Sequence, residues 1–142
     1  MQTGGDTRGA VYGLAGMGES LEVGIEDSLE FVVDGGLLTD VGGTLGFEVL
    51  STPAMIAMME HTASTLVYPR LQDGKATVGF EVCVKHVAGA PKGTRCTATA
   101  RLEEIVEERK LRFAVEVTAA DGRTIGVGTH ERRVVDVSPH GG

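Results

Sequence analysis

The segment between Pro53 and Pro69 constrains this chain most. It carries Ala54, Met55, Ile56, Ala57, Met58, Met59, Ala63, Leu66 and Val67, a helix apolar nearly all the way round, which must be covered on every side. Thr52 reads as its N-cap and Pro53 as its first helical residue, where the missing N–H costs nothing. Pro69 ends it after Tyr68. Within this rod, Met58-Met59-Glu60-His61 holds a carboxylate. A buried carboxylate needs a partner or a use for its shifted proton affinity, and His86 is the candidate partner.

Strands downstream of the helix supply its cover. From Lys75 the pattern has a period of two: Val78, Phe80, Val82, Val84 and His86 fall on one face, and Gly79, Glu81, Cys83 and Lys85 on the other. Gly89-Ala90-Pro91-Lys92-Gly93 turns the chain into a strand over 94–106, with Cys96, Ala98, Ala100 and Leu102 on one side. A strand over 111–118 repeats this with Leu111, Phe113, Val115 and Val117, after a hairpin tip at 107–110. Asp121-Gly122 predicts a tight turn with positive φ at both central positions, leading to a last strand over 124–137. Upstream, 28–33 reads as a short first strand and the glycine-rich 37–50 as a loop that lines a site. The expected class is α+β, an antiparallel sheet wrapped around one central helix: the hot-dog fold. Its open sheet edges predict pairing with a second copy, a homodimer at least and a tetramer as the larger option.

Length and composition agree with one domain. At 142 residues with 42% hydrophobic residues, the chain can enclose a single core. Many of its 21 glycines fall before residue 47, so 1–24 reads as a flexible arm, 25–138 as the domain and 139–142 as a frayed end. A net charge of −7 without a long basic cluster argues against nucleic acid. Lys85, Lys92, Arg95, Arg132 and Arg133 leave room for a local patch facing one anionic group. Cys83 and Cys96 lack metal-site spacing, so no metal is expected, and free thiols fit a reducing cytoplasm. No apolar run has the length of a membrane span.

Four stretches, 49–60, Val84-Lys85-His86, Pro91-Lys92-Gly93 and Gly128-Thr129-His130-Glu131-Arg132, resemble the fluoroacetyl-CoA thioesterase family of hot-dog proteins. The resemblance covers roughly 28–137 and rests chiefly on the spacing from Thr52 to Glu60 to His86. It implies that Thr52, Glu60 and His86 form a catalytic group for acyl-CoA hydrolysis, with Gly79 beside the acyl group and no cofactor besides the CoA of the substrate. Where the fluoroacetyl-specialised member carries an aromatic lid, Thr44-Leu45-Gly46-Phe47 offers only Phe47. The resemblance therefore implies a broader short-chain acyl-CoA thioesterase.

Thioester hydrolysis needs a nucleophile or activated water, a base and donors for the oxyanion. The helix start at Thr52 offers unsatisfied N–H groups and the positive end of the dipole. His86 is a natural proton acceptor near pH 7. Thr52 and Glu60 stand eight residues apart, about 12 Å along a helix, so their cooperation is expected across a dimer. Met55, Met59 and Phe47 are expected to shape the acyl pocket, and Arg132 to touch a CoA phosphate. His61 and His130 are read as packing or interface residues. Two other functions compete: a non-catalytic acyl-CoA binding protein and a hot-dog hydroxyacyl-CoA dehydratase.

Overall fold

The computed structural model describes residues 20–137, so most of the arm at 1–24 and the end at 139–142 lie outside the described residues. The chain runs β1 (Glu26–Val32), a 3-10 turn (Gly35–Leu37), β2 (Leu38–Thr39), β3 (Val49–Leu50), α1 (Thr52–Val67), a 3-10 turn (Tyr68–Arg70), β4 (Lys75–His86), β5 (Arg95–Val106), β6 (Lys110–Ala119) and β7 (Thr124–Asp136). Five strands make one sheet in the order β1-β5-β6-β7-β4, antiparallel throughout. Helix α1 crosses one face, mainly over β5 and also against β1, β4 and β6.

The alternation in β5 and β6 holds residue by residue. Cys96, Ala98, Ala100 and Leu102, and Leu111, Phe113, Val115 and Val117, are all buried under Met55, Met59, Ala63, Leu66 and Val67 of the helix. Small side chains on β5 and large ones on β6 let the helix sit close over the former. Gly126 on β7 belongs to the same fit. A Cβ built there would overlap the Met55 Sδ, so the glycine admits that side chain.

Three expectations are corrected. The turn at 89–93 is no short link between neighbouring strands: β4 pairs with β7, while β5 lies between β1 and β6, so residues 87–94 carry the chain from one side of the sheet to the other. On the way Ala90 accepts a bond from Leu50 N–H at 2.8 Å and Gly93 donates to Val33 at 2.8 Å, which ties the crossing to the entry of the helix. At Asp121-Gly122 only Gly122 has positive φ. The tip of the β5–β6 hairpin instead places two glutamates, Glu107 and Glu108, in the left-handed region at φ 57° and 56°.

The third correction concerns β4. Its pairing with β7 shifts between Gly79 and Glu81, a bulge at Phe80. Strict alternation therefore fails: Val78 is 49% and Phe80 58% exposed, and the Arg133 guanidinium lies over the Phe80 ring at 3.5 Å. A bulge inserts one unpaired residue and turns the chain before it. Gly79 consequently faces the helix, on the side that holds Val82, Val84 and His86 beyond the bulge.

Candidate active site

The helix starts one residue earlier than its composition suggests. Ser51 is the N-cap, with extended φ/ψ of −76° and 151°, and its Oγ accepts from Ala54 N–H at 3.1 Å. Thr52 is the first helical residue and its hydroxyl is not used for capping. It bonds instead to His86 at the end of β4, with Thr52 Oγ1 and His86 Nδ1 2.8 Å apart. The Thr52 N–H has no partner among the described residues and lies at the positive end of the helix dipole.

Burial depresses the His86 pKa below the ordinary 6.5, and a main-chain interaction with Ala88 opposes this only in part. The ring is thus neutral at pH 7, as a proton acceptor must be. Its Nε2 is buried without a hydrogen-bond partner among the described residues. A buried polar atom left unpaired is costly, and in a native protein it calls for a reason.

Glu60 lies elsewhere within the single chain. Two turns further along α1, its Oε2 is 2.8 Å from the point that a Cβ on Gly79 would occupy. The same point is 3.6 Å from Arg132 Nη1 and 3.7 Å from His130 Cε1, so Glu60, Arg132 and His130 converge on Gly79. A side chain at Gly79 would run into the carboxylate. The partner expected for Glu60 was His86; within one chain the charged and polar groups nearest its carboxylate at this corner are Arg132 and His130, whose electrostatics it influences without a direct bond. Neither a hydrogen bond nor an ion pair joins Glu60 to Thr52 or His86.

Arg132 is held on the inner face of β7. Its Nε donates to Thr77 Oγ1 at 2.8 Å, Nη2 to the Thr77 carbonyl at 3.0 Å and Nη1 to His130 Nε2 at 3.2 Å. Arg132 is 8% exposed, its guanidinium turned toward Thr77 and the Glu60 corner instead of toward solvent. Burial lowers its pKa and the Glu60 charge pulls the other way. An arginine stays protonated throughout, so the site carries a fixed positive charge. Sequence reasoning set His130 aside, although His130 and Arg132 stand two residues apart on one strand and so share a face, a polar pair where apolar side chains are the rule.

The remaining predicted residues fall in two places. Met55 and Met59 are fully buried against Gly126, while Phe47 is 60% exposed on the loop before β3. That loop turns on glycines with positive φ at 42, 43 and 46, and on Val41 at φ 56°. A half-open hollow of about 360 Å³ lies between β1 and β5, lined by Phe31, Arg95 and Cys96 among others, and touches none of Thr52, Glu60 and His86. Among the described residues no group of three or more His, Cys, Asp or Glu is placed to hold a metal, and no helix is long and apolar enough to cross a membrane.

A family model described as FlK, fluoroacetyl-CoA-specific thioesterase, matches residues 36–138 of the chain. The chain belongs to that family. The match takes in Thr52, Glu60, Gly79, His86 and the strand with His130 and Arg132. The fluoroacetyl-CoA thioesterase of Streptantibioticus cattleyicolor is 40% identical over 89 residues, 62% of this chain and 62% of that protein's length. A solved structure of the fluoroacetyl-CoA thioesterase FlK superposes with a TM-score of 0.75 at 30% identity, covering 84% of this chain and 91% of that one. Variants of FlK have been solved with fluoroacetate and CoA and with acetyl-CoA. A hot-dog-like protein from Thermanaerovibrio acidaminovorans superposes with a TM-score of 0.72 at 24% identity over 80% of this chain and 83% of its own. The fold is therefore the hot-dog fold, as the apolar helix and the antiparallel strands require.

Proposed function

We propose that this chain hydrolyses short-chain acyl-CoA thioesters to the free acid and CoA, using Thr52, Glu60 and His86 in a site completed by a second copy of the chain. The observation that carries the reading is the 2.8 Å contact between Thr52 Oγ1 and His86 Nδ1 at the start of a buried helix. There a hydroxyl, a neutral imidazole and an unpartnered N–H meet. Family membership supplies the thioester as the bond to be cut.

In the direct route His86 takes the Thr52 proton while the hydroxyl oxygen bonds to the thioester carbon. The oxyanion forms near the Thr52 N–H, and when the C–S bond breaks the sulfur leaves with the proton from His86. Water then attacks the acyl-Thr52 ester, loses its proton to His86, and Thr52 regains one as the acid departs. If Thr52 only positions the water, one such displacement suffices and no covalent intermediate forms. Rapid quenching followed by intact-mass measurement distinguishes the two.

A second copy supplies what one chain keeps apart. Among the described residues strand β4 ends the sheet and is bonded on one side only, to β7. An antiparallel pairing of two β4 strands about Val82-Cys83, midway between Gly79 and His86, sets each His86 opposite the Gly79 and Glu60 corner of the other copy. The pairing also covers the open edge.

Purified protein offered acetyl-, propionyl- and fluoroacetyl-CoA is expected to release free thiol. His86→Ala should lower turnover about 10²-fold or more, the usual worth of a general base. Near-normal turnover in that variant would refute the assignment. Saturable binding without release would favour the binding-protein reading, and water loss from a 3-hydroxyacyl-CoA the dehydratase.

A further inference from the structure

We propose that His130 is a positioning residue of the catalytic centre: its neutral ring, protonated on Nδ1, holds the Arg132 guanidinium against the corner formed by Glu60 and Gly79. The bonds determine the tautomer. Arg132 Nη1 can only donate, so His130 Nε2, 3.2 Å away, must accept. The Glu81 carbonyl, 2.8 Å from Nδ1, can only accept, so Nδ1 must carry the proton. His130 thereby ties the bulged strand β4 to Arg132 on β7. The nitrogen that it fixes, Nη1, is the one 3.6 Å from the Gly79 Cβ point that also faces Glu60 Oε2. Phe113 of β6 stacks on the ring at 6.0 Å between centroids and limits its rotation.

A second proton on His130 would remove this hold. Nε2–H would then face a guanidinium, two donors of like charge at a bonding distance. The groups facing the ring are Glu60 from α1, Arg132 from its own strand, the Glu81 carbonyl from β4 and the uncharged Phe113 from β6. Burial and Arg132 keep the ring neutral, against the opposing pull of Glu60 and the Glu81 carbonyl.

Two substitutions separate this role from packing. His130→Gln keeps an acceptor near the position of Nε2 and gives up the bond to Glu81. His130→Asn keeps a donor near Glu81 and leaves Arg132 without its acceptor. We expect His130→Asn to lower kcat at least tenfold below His130→Gln at pH 7.5, with KM within about threefold between them, and the acid limb of the wild-type rate profile to be steeper than that of His130→Gln. Equal losses in both variants, or a greater loss in His130→Gln, would overturn the proposal. This kinetic arm rests on the thioesterase reading. An independent arm does not: long-range proton–nitrogen NMR of the wild-type protein at pH 7.5 should find His130 neutral with the proton on Nδ1, even if no thioester is turned over or a variant fails to fold. A ring protonated on Nε2 would overturn the proposal whatever the kinetics show.

Discussion

Adjacent hydroxyls at the start of α1 have separate tasks. Ser51 caps the helix, and Thr52 is left to meet His86. The composition could not divide them, because Ser and Thr are both good caps and Pro53 is tolerated at either of the first two helical positions. The division makes a prediction that separates stability from activity. Ser51→Ala should cost about 1 kcal/mol of stability, the usual worth of an N-cap, with turnover largely kept. Thr52→Ala should leave the midpoint of urea unfolding nearly unchanged and abolish most turnover. The pH dependence arises from the two inward histidines. Both His86 and His130 have folded-state pKa values below the ordinary 6.5. Below about pH 6.5 the unfolded chain therefore binds protons that these folded rings refuse, so stability falls as pH drops through that range, and the depressed carboxyls of Asp121 and Glu131 continue the loss at lower pH. Urea titrations at pH 7.5 and 5.5 should show the loss, and His130→Gln should reduce it.

Among the elements, β4 shows most clearly where a sequence pattern stops being sufficient. Period-two reasoning placed the inner faces of β5 and β6 correctly, because nothing interrupts the alternation over the stretches concerned. In β4 the extra residue at Phe80 reverses the faces, and an apolar Phe then lies on the outer side under Arg133. The glycine beside it was the available signal, since an isolated glycine in a strand often marks a bulge or a close approach. Helix and strands were legible because burial enforces their periods; Glu60 and Arg132 were not paired, since their meeting depends on the bulge and on a long-range strand order. Gly79→Ala tests that corner. Its new Cβ would stand 2.8 Å from Glu60 Oε2, the far end of a flexible side chain that can shift, so turnover should fall while the fold stays intact by circular dichroism. At the β5–β6 tip, Glu107→Asn with Glu108→Gly replaces two residues at positive φ by types suited to it and should raise stability by about 1 kcal/mol or more, read as a higher midpoint in urea.

At the scale of the whole molecule, the separation of Thr52 and His86 from Glu60 is the fact to be explained. Thr52 and Glu60 stand eight positions apart on α1, and the length of β4 from Gly79 to His86 separates the two groups on the strand, about 12 Å along the helix and on the order of 20 Å along the strand. On the proposed reading, one chain would hold two halves of a site, one at the start of its helix and one at the helix middle. A two-fold axis through the open edge of β4 would join each half to its complement, giving two identical sites per dimer. Subunit mixing examines this directly. His86→Ala and Glu60→Gln homodimers should each be nearly inactive. Unfolded together in equal amounts and refolded, half the dimers would be mixed, and each mixed dimer would carry one intact site of two, so about a quarter of the wild-type activity should return. The alternative, both groups working within one subunit, predicts no recovery at all, because every chain in the mixture lacks one of the two side chains. Recovery at the expected level would also explain the orphaned His86 Nε2, which in the dimer would look toward the other copy's carboxylate.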